Sequence, residues 1–144
     1  FLLREPGIVG ALFNHPRAMS SIIVDGYHVN YNAVKTAKKI MGDRLFCITD
    51  AVTSTSTGFY KHALVGDKYE SDGTLSGSAL TQLKSVQNLM EYVGVDFEEA
   101  IKMCSVYPAR VMQKKEMSGS IQMGETAAFV CLTNSKELLK IVAS

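Results

Sequence analysis

The chain has 144 residues, 47% of them hydrophobic, ordinary for one soluble domain and enough to bury a core of useful size. Its 15 Lys and Arg against 14 Asp and Glu leave a formal charge of +1, so nothing electrostatic favours nucleic acid or an anionic membrane as partner. There is no apolar run of the roughly 20 residues needed to span a bilayer, and no signal-peptide pattern. Cys47, Cys104 and Cys131 are too far apart for a short zinc or redox motif, and read as reduced core thiols of a cytosolic protein. The first residue is Phe1, and a turn-like Arg4-Glu5-Pro6-Gly7 follows; a chain cut from something longer is expected.

Ile22-Ile23-Val24 is a branched run suited to a strand buried on both faces, and it stops at Asp25-Gly26. Asn30 then caps a predicted helix with Val34, Ala37 and Ile40 on one stripe and Gly42 at its end. Leu45-Phe46-Cys47-Ile48 is a second apolar strand, ending at Thr49-Asp50. The strand, helix, strand order predicts parallel strands, which brings the tips at Asp25 to His28 and at Asp50 to one rim of a sheet.

Beyond the Ser and Thr stretch, Phe59 to Val65 and Lys68 to Ser71 are expected to pair around Gly66-Asp67, with Asp72-Gly73 as a second turn. A helix from about Leu80 to Val93 follows, on the spacing of Leu83, Val86, Met90 and Val93 before Gly94. Asp96 and Glu99 form a capping box for a helix holding Ala100, Ile101 and Cys104, and Pro108 suits the first turn of another through Val111 and Met112. Gly119 and Gly124 bracket a turn before a strand from Ala127 to Leu132, whose apolar content predicts pairing elsewhere.

Asp50 is the sharpest chemical candidate. It either caps the following turn or, standing at the carboxyl-terminal end of a parallel strand, moves protons for a metal-bound water. His28, on the same rim, is a hydrogen-bonded loop residue or a ligand contact. His15 reads as a surface residue and His62 as part of the hairpin. The run Asp72-Gly73-Thr74-Leu75-Ser76-Gly77-Ser78 is a turn with a helix cap, or a loop offering donors to a sugar or phosphate; it does not match an ATP-binding loop. Arg4 is a surface charge or a phosphate clamp.

Four segments in series, Arg4-Glu5-Pro6-Gly7-Ile8-Val9-Gly10, Asp25-Gly26-Tyr27-His28-Val29, Ile48-Thr49-Asp50-Ala51 and Asp72 to Ser78, resemble the N-acetylglucosamine-6-phosphate deacetylases of the amidohydrolase superfamily. A weaker likeness continues through Tyr107-Pro108-Ala109-Arg110 and Gly119-Ser120-Ile121, and the family's Ala-Asp is replaced by Ala127-Ala128. The resemblance implies an α/β fold: residues 1–118 as the last part of a (β/α)8 barrel with an inserted hairpin over 59–77, and 119–144 returning to a small β-sandwich. It implies Asp50 as catalytic acid and base, and His28 as a substrate contact near the phosphate. Arg4 would reach the phosphate in the neighbouring subunit of a homodimer, and Leu75, Ser76 and Gly77 would form the loop closing over the sugar. It also implies a divalent metal ion, zinc or iron, held by a glutamate and histidines that precede Phe1. The implied reaction is hydrolysis of an amino-sugar phosphate acetamide, with the isolated chain inactive. The alternatives are a deacetylase of another N-acetyl-hexosamine 6-phosphate and a non-catalytic fragment or binding module.

Overall fold

The computed structural model describes residues 5–59, 61–113, 121–124 and 128–143. The expectations placed on Arg4, Gly119-Ser120 and Ala127 fall outside the described residues.

The chain enters through α1 (Gly7–Asn14), an element with no counterpart in the sequence reading, where Arg4 to Gly7 stood only as a turn. Strands β1 (Ser20–Ile23) and β2 (Leu45–Ile48) pair in parallel, Ser20 opposite Leu45 and Ile23 opposite Ile48. Parallel neighbours need a crossover, supplied by α2 (Tyr31–Met41). The Asn30 side chain accepts from the Asn32 N–H at 2.9 Å, and Gly42 ends the helix at a φ of 59°. The buried stripe is Val34, Ala37 and Met41; Ile40, expected on it, is 47% exposed. At 3.6 residues per turn Met41 continues the line and Ile40 falls to one side.

After β2 comes a three-stranded antiparallel sheet in the order β3 (Ala63–Val65), β4 (Lys68–Ser71), β5 (Thr74–Ser78). The hairpin around Gly66-Asp67 is as expected, but its first strand is shorter, and the run from Thr74, read as turn and cap, is a third strand. The end of β5 turns back to the first sheet through a parallel bridge between Ala51 and Ser78, with the Val52 N–H donating to the Ser78 carbonyl at 3.1 Å. Thus β5 touches the chain just past Asp50.

Thr81 caps α3 (Gln82–Asn88), its hydroxyl accepting from the Lys84 N–H, and a π-turn over Leu89–Val93 ends at Gly94. The buried stripe is Val86, Leu89 and Val93, while the expected Leu83 and Met90 are only partly buried. Asp96 caps α4 (Phe97–Cys104), accepting from the Glu99 N–H at 2.8 Å. The reciprocal half of the expected capping box is replaced: the Glu99 carboxylate pairs with Lys38 and accepts from the Tyr107 hydroxyl of α5 (Val106–Met112). Burial, then the adjacent Glu99, pushes the Tyr107 phenol up to about 12. Among the described residues β6 (Ala128–Leu132) pairs with β7 (Leu138–Ala143), the next segment of chain.

The core joins Val24, Leu45 and Cys47 of the strand region to Val34, Met41, Leu89, Ala100, Met103 and Tyr107 of the helices. Burial along β2 alternates, Leu45 and Cys47 buried and Phe46 and Ile48 half-buried. In β1 the neighbouring Ile22 and Ile23 are both half-buried and Val24, just past the strand, is fully buried. Among the described residues the result is an α/β fold with parallel and antiparallel sheets and no closed barrel.

A Cβ on Gly77 would stand 2.3 Å from Val52 Cγ2, so only glycine lets β5 lie this close to the strand that carries Asp50. Gly77→Ala is expected to destabilise the fold by about 1–3 kcal/mol, the usual cost of overpacking. An earlier denaturation midpoint in urea, with an unchanged slope, is the check.

Candidate functional site at the strand ends

Asp25 and Asp50 each lie two residues past the last register pair, Ile23 and Ile48, and the Ala51 to Ser78 bridge adds the end of β5 beside them. The parallel register therefore sets Asp25, Asp50 and Ser78 along one edge. This is the rim expected from the sequence.

Asp25 is buried, and its carboxylate organises the first tip. One oxygen accepts from the backbone N–H groups of Tyr27 at 3.0 Å and His28 at 2.9 Å; the other faces His28 Nδ1 at 2.6 Å. Burial pushes the carboxyl pKa up, but the His28 side chain and the two N–H donors together outweigh burial and hold it below its ordinary value. An ionised carboxylate only accepts, so Nδ1 of His28 carries the hydrogen, and Nε2 has no hydrogen-bond partner among the described residues. Gly26, between them, has a φ of +80°, and a Cβ there would meet the Tyr31 ring at 2.7 Å. The tip is thus built for His28, which is partly exposed.

Asp50 is exposed and holds a φ of 46°, a left-handed conformation that aspartate and asparagine tolerate better than other side chains. Its carboxylate has no hydrogen-bond partner among the described residues, so the capping role weighed for it is not what holds the turn. An exposed carboxylate on a fixed backbone is free to take and return a proton.

Leu75, Ser76 and Gly77 are strand residues rather than loop. Leu75 is at the solvent margin, Gly77 is buried against Val52, and Ser76 shares a hydrogen bond of 2.8 Å with His62 Nδ1. His62 and Ser76 line a cavity of about 670 Å³ together with Phe59, Asp72, Thr74 and Leu75. A second cleft, of about 550 Å³, opens beside Asp25 and Tyr27 and is walled by Tyr31, Tyr92, Thr81 and Lys84. His15 is the exposed residue expected, its Nδ1 accepting from the Ala18 N–H at 2.8 Å.

Two participants escaped the sequence reading. His62 is more than a hairpin residue, and its partner lies two turns away in sequence, so only the strand order reveals the pair. Asn88, on α3, donates to the Val24 carbonyl at 2.7 Å and steadies the strand end that carries Asp25; a polar residue among helical apolar positions was the available signal. Among the described residues no group of three His, Cys, Asp or Glu is placed to hold a metal ion, so these residues do not by themselves fit a metal centre.

The model of the amidohydrolase family matches residues 5–143. The chain is 32% identical to an N-acetylglucosamine-6-phosphate deacetylase of Haemophilus influenzae, over 98% of its own length and 39% of the relative's. It is also 32% identical to an N-acetylgalactosamine-6-phosphate deacetylase of Escherichia coli O157:H7, over 96% of its length and 39% of the relative's. The crystal structure of an N-acetylglucosamine-6-phosphate deacetylase from Pasteurella multocida superposes with a TM-score of 0.85 at 32% identity, covering 94% of this chain and 38% of that one. The chain thus spans about two fifths of the length of these relatives.

Asp25 contributes stability above the unfolded carboxylate pKa, and that contribution is lost as pH falls through its lowered folded value. Asp25→Asn is expected to cost about 1.5–3 kcal/mol at neutral pH, the scale of hydrogen bonds to a charged group. Urea denaturation of both proteins at pH 7 and at pH 3 tests this: the gap narrows at the lower pH.

Proposed function

The chain belongs to the amidohydrolase family, and from that premise we propose that it carries the proton-handling and sugar-facing part of a deacetylase acting on an N-acetyl-hexosamine 6-phosphate. N-acetylglucosamine 6-phosphate is the preferred reading of the substrate, with glucosamine 6-phosphate and acetate as products. The observation that carries it is the parallel register: Asp50 and the Asp25-His28 tip share one edge, with β5 pressed against the residues after Asp50.

Hydrolysis of an acetamide needs a proton taken from the attacking water and one given to the nitrogen, which otherwise leaves as a poor anion. Asp50 performs both transfers in turn. His28, its tautomer set by Asp25, presents Nε2 as an acceptor for a substrate hydroxyl near the phosphate end. Ser76, Leu75 and Gly77 form the wall against the sugar ring. Arg4, outside the described residues, is assigned to the phosphate in a neighbouring subunit, which makes the active protein a homodimer. A divalent metal ion, zinc or iron on the chemistry of mixed carboxylate and imidazole ligands, belongs to this reading with its ligands outside these residues. Residues 1–118 are read as barrel, with 59–77 as its inserted hairpin, and 119–144 as part of a small β-sandwich. A cytoplasmic location belongs to this reading on the three free cysteines; among the described residues no helix is long and apolar enough to cross a membrane.

The galactose epimer is the second reading, favoured by the equal 32% identity to a relative named for that sugar. Comparing kcat/KM for the two N-acetyl-hexosamine 6-phosphates in the intact protein separates them; a strong preference for the galactose epimer replaces the first assignment.

Asp50→Asn keeps the shape and the tolerance of positive φ but cannot shuttle a proton. In the intact protein it is expected to bind the sugar phosphate normally and lose turnover by roughly 10²–10⁴-fold. Near-native turnover would reduce Asp50 to a turn residue. The isolated chain, supplied with zinc, is expected to show no deacetylation, since one carboxylate and one imidazole do not organise a metal-bound water. Activity in the rigorously purified chain would overturn the placement of the ligands elsewhere.

A further inference from the structure

Ser76 sits where the ladder between β4 and β5 slips. Tyr69 pairs with Gly77 and Glu70 with Leu75, leaving Ser76 without an opposite residue, as the extra member of a β-bulge. A bulge releases a side chain from strand alternation and re-aims it. Here the hydroxyl is aimed at His62 Nδ1, 2.8 Å away. His62 is held in turn by its carbonyl, which accepts from the Thr55 N–H at 3.1 Å, on the stretch running out from Asp50. Both side chains line the cavity of about 670 Å³, with Phe59 and Thr74 on its wall. Among the described residues Nε2 of His62 has no hydrogen-bond partner.

We propose that His62 is a positioning residue for sugar recognition, fixing the rotamer of the bulged Ser76 so that its hydroxyl oxygen meets the hexose from one defined direction. The inference rests on the reading of this site as one for an N-acetyl-hexosamine 6-phosphate. A free serine hydroxyl donates or accepts in any rotamer and so distinguishes poorly between neighbouring sugar hydroxyls. Tied to an imidazole nitrogen, it is held in one rotamer with one hydrogen-bonding site already used, which narrows the directions in which it can meet the ligand. Specificity for hydroxylated substrates depends on such fixed partners, because a wrong isomer leaves them unpaired.

The test uses the intact protein and its better hexosamine phosphate substrate. His62→Ala is expected to raise KM about 10-fold, the scale of one polar contact, with kcat changed less than about threefold. Ser76→Ala should do the same, and the double variant should be no worse than either single, because the two act as one unit. Asparagine reaches the place of Nδ1 and glutamine that of Nε2, so His62→Asn should recover most of the native KM and His62→Gln should not. An unchanged KM in His62→Ala, additive losses in the double variant, or rescue by glutamine alone would each overturn the positioning role. Absence of turnover of either sugar phosphate by the unsubstituted protein is a separate result; it defeats the functional reading itself, and this inference with it.

Discussion

The parallel pairing of two four-residue strands is the constraint on which the rest of the molecule depends. Parallel neighbours run in the same direction, so the chain has to return across the sheet before β2 begins, and it does so through a helix with a buried stripe. That crossover puts both strand exits on one edge. With Ile23 opposite Ile48, the residues that follow, Asp25 with His28 and Asp50, emerge side by side.

The helical layer holds this pair in place through polar contacts as well as apolar ones. Lys38 of α2 meets Glu99 of α4, Glu99 accepts from Tyr107 of α5, and Arg110 reaches Asp43 at 3.0 Å beyond α2. Within the half-buried Lys38, Glu99 and Tyr107 group each partner satisfies one that would otherwise be partly desolvated without compensation, whereas the Arg110 to Asp43 pair is solvent-exposed and adds little. The network ties three helices that share one core, above which the strand ends stay open.

At the edge itself the backbone is unusual where the chemistry is placed. Asp50 and Gly26 hold positive φ, Gly77 allows contact with Val52 that no Cβ permits, and β5 bulges at Ser76. Local departures of this kind are sustained only where surrounding structure fixes them. Here the Asp25 carboxylate, the Ala51 to Ser78 bridge and the His62 to Ser76 hydrogen bond provide that support.

Local patterns in the sequence determined the two parallel strands, the Asn30 cap, the Gly42 exit, the Gly66-Asp67 hairpin and the shared rim of Asp25, His28 and Asp50. Each follows from interactions within a few residues or from the handed geometry of a strand, helix, strand unit. Tertiary structure decided what depends on distant partners or on small phase changes. Leu89 took the buried place expected for Met90, and Met41 displaced Ile40 on another helix. Glu99 gave up its half of the capping box for Lys38 and Tyr107. Thr74 to Ser78 became a strand because an edge of β4 and the chain at Ala51 were both available to pair with it. His62 acquired a partner for the same reason: sequence separates it from Ser76, whereas three strands and a bulge bring the imidazole and the hydroxyl within a hydrogen bond.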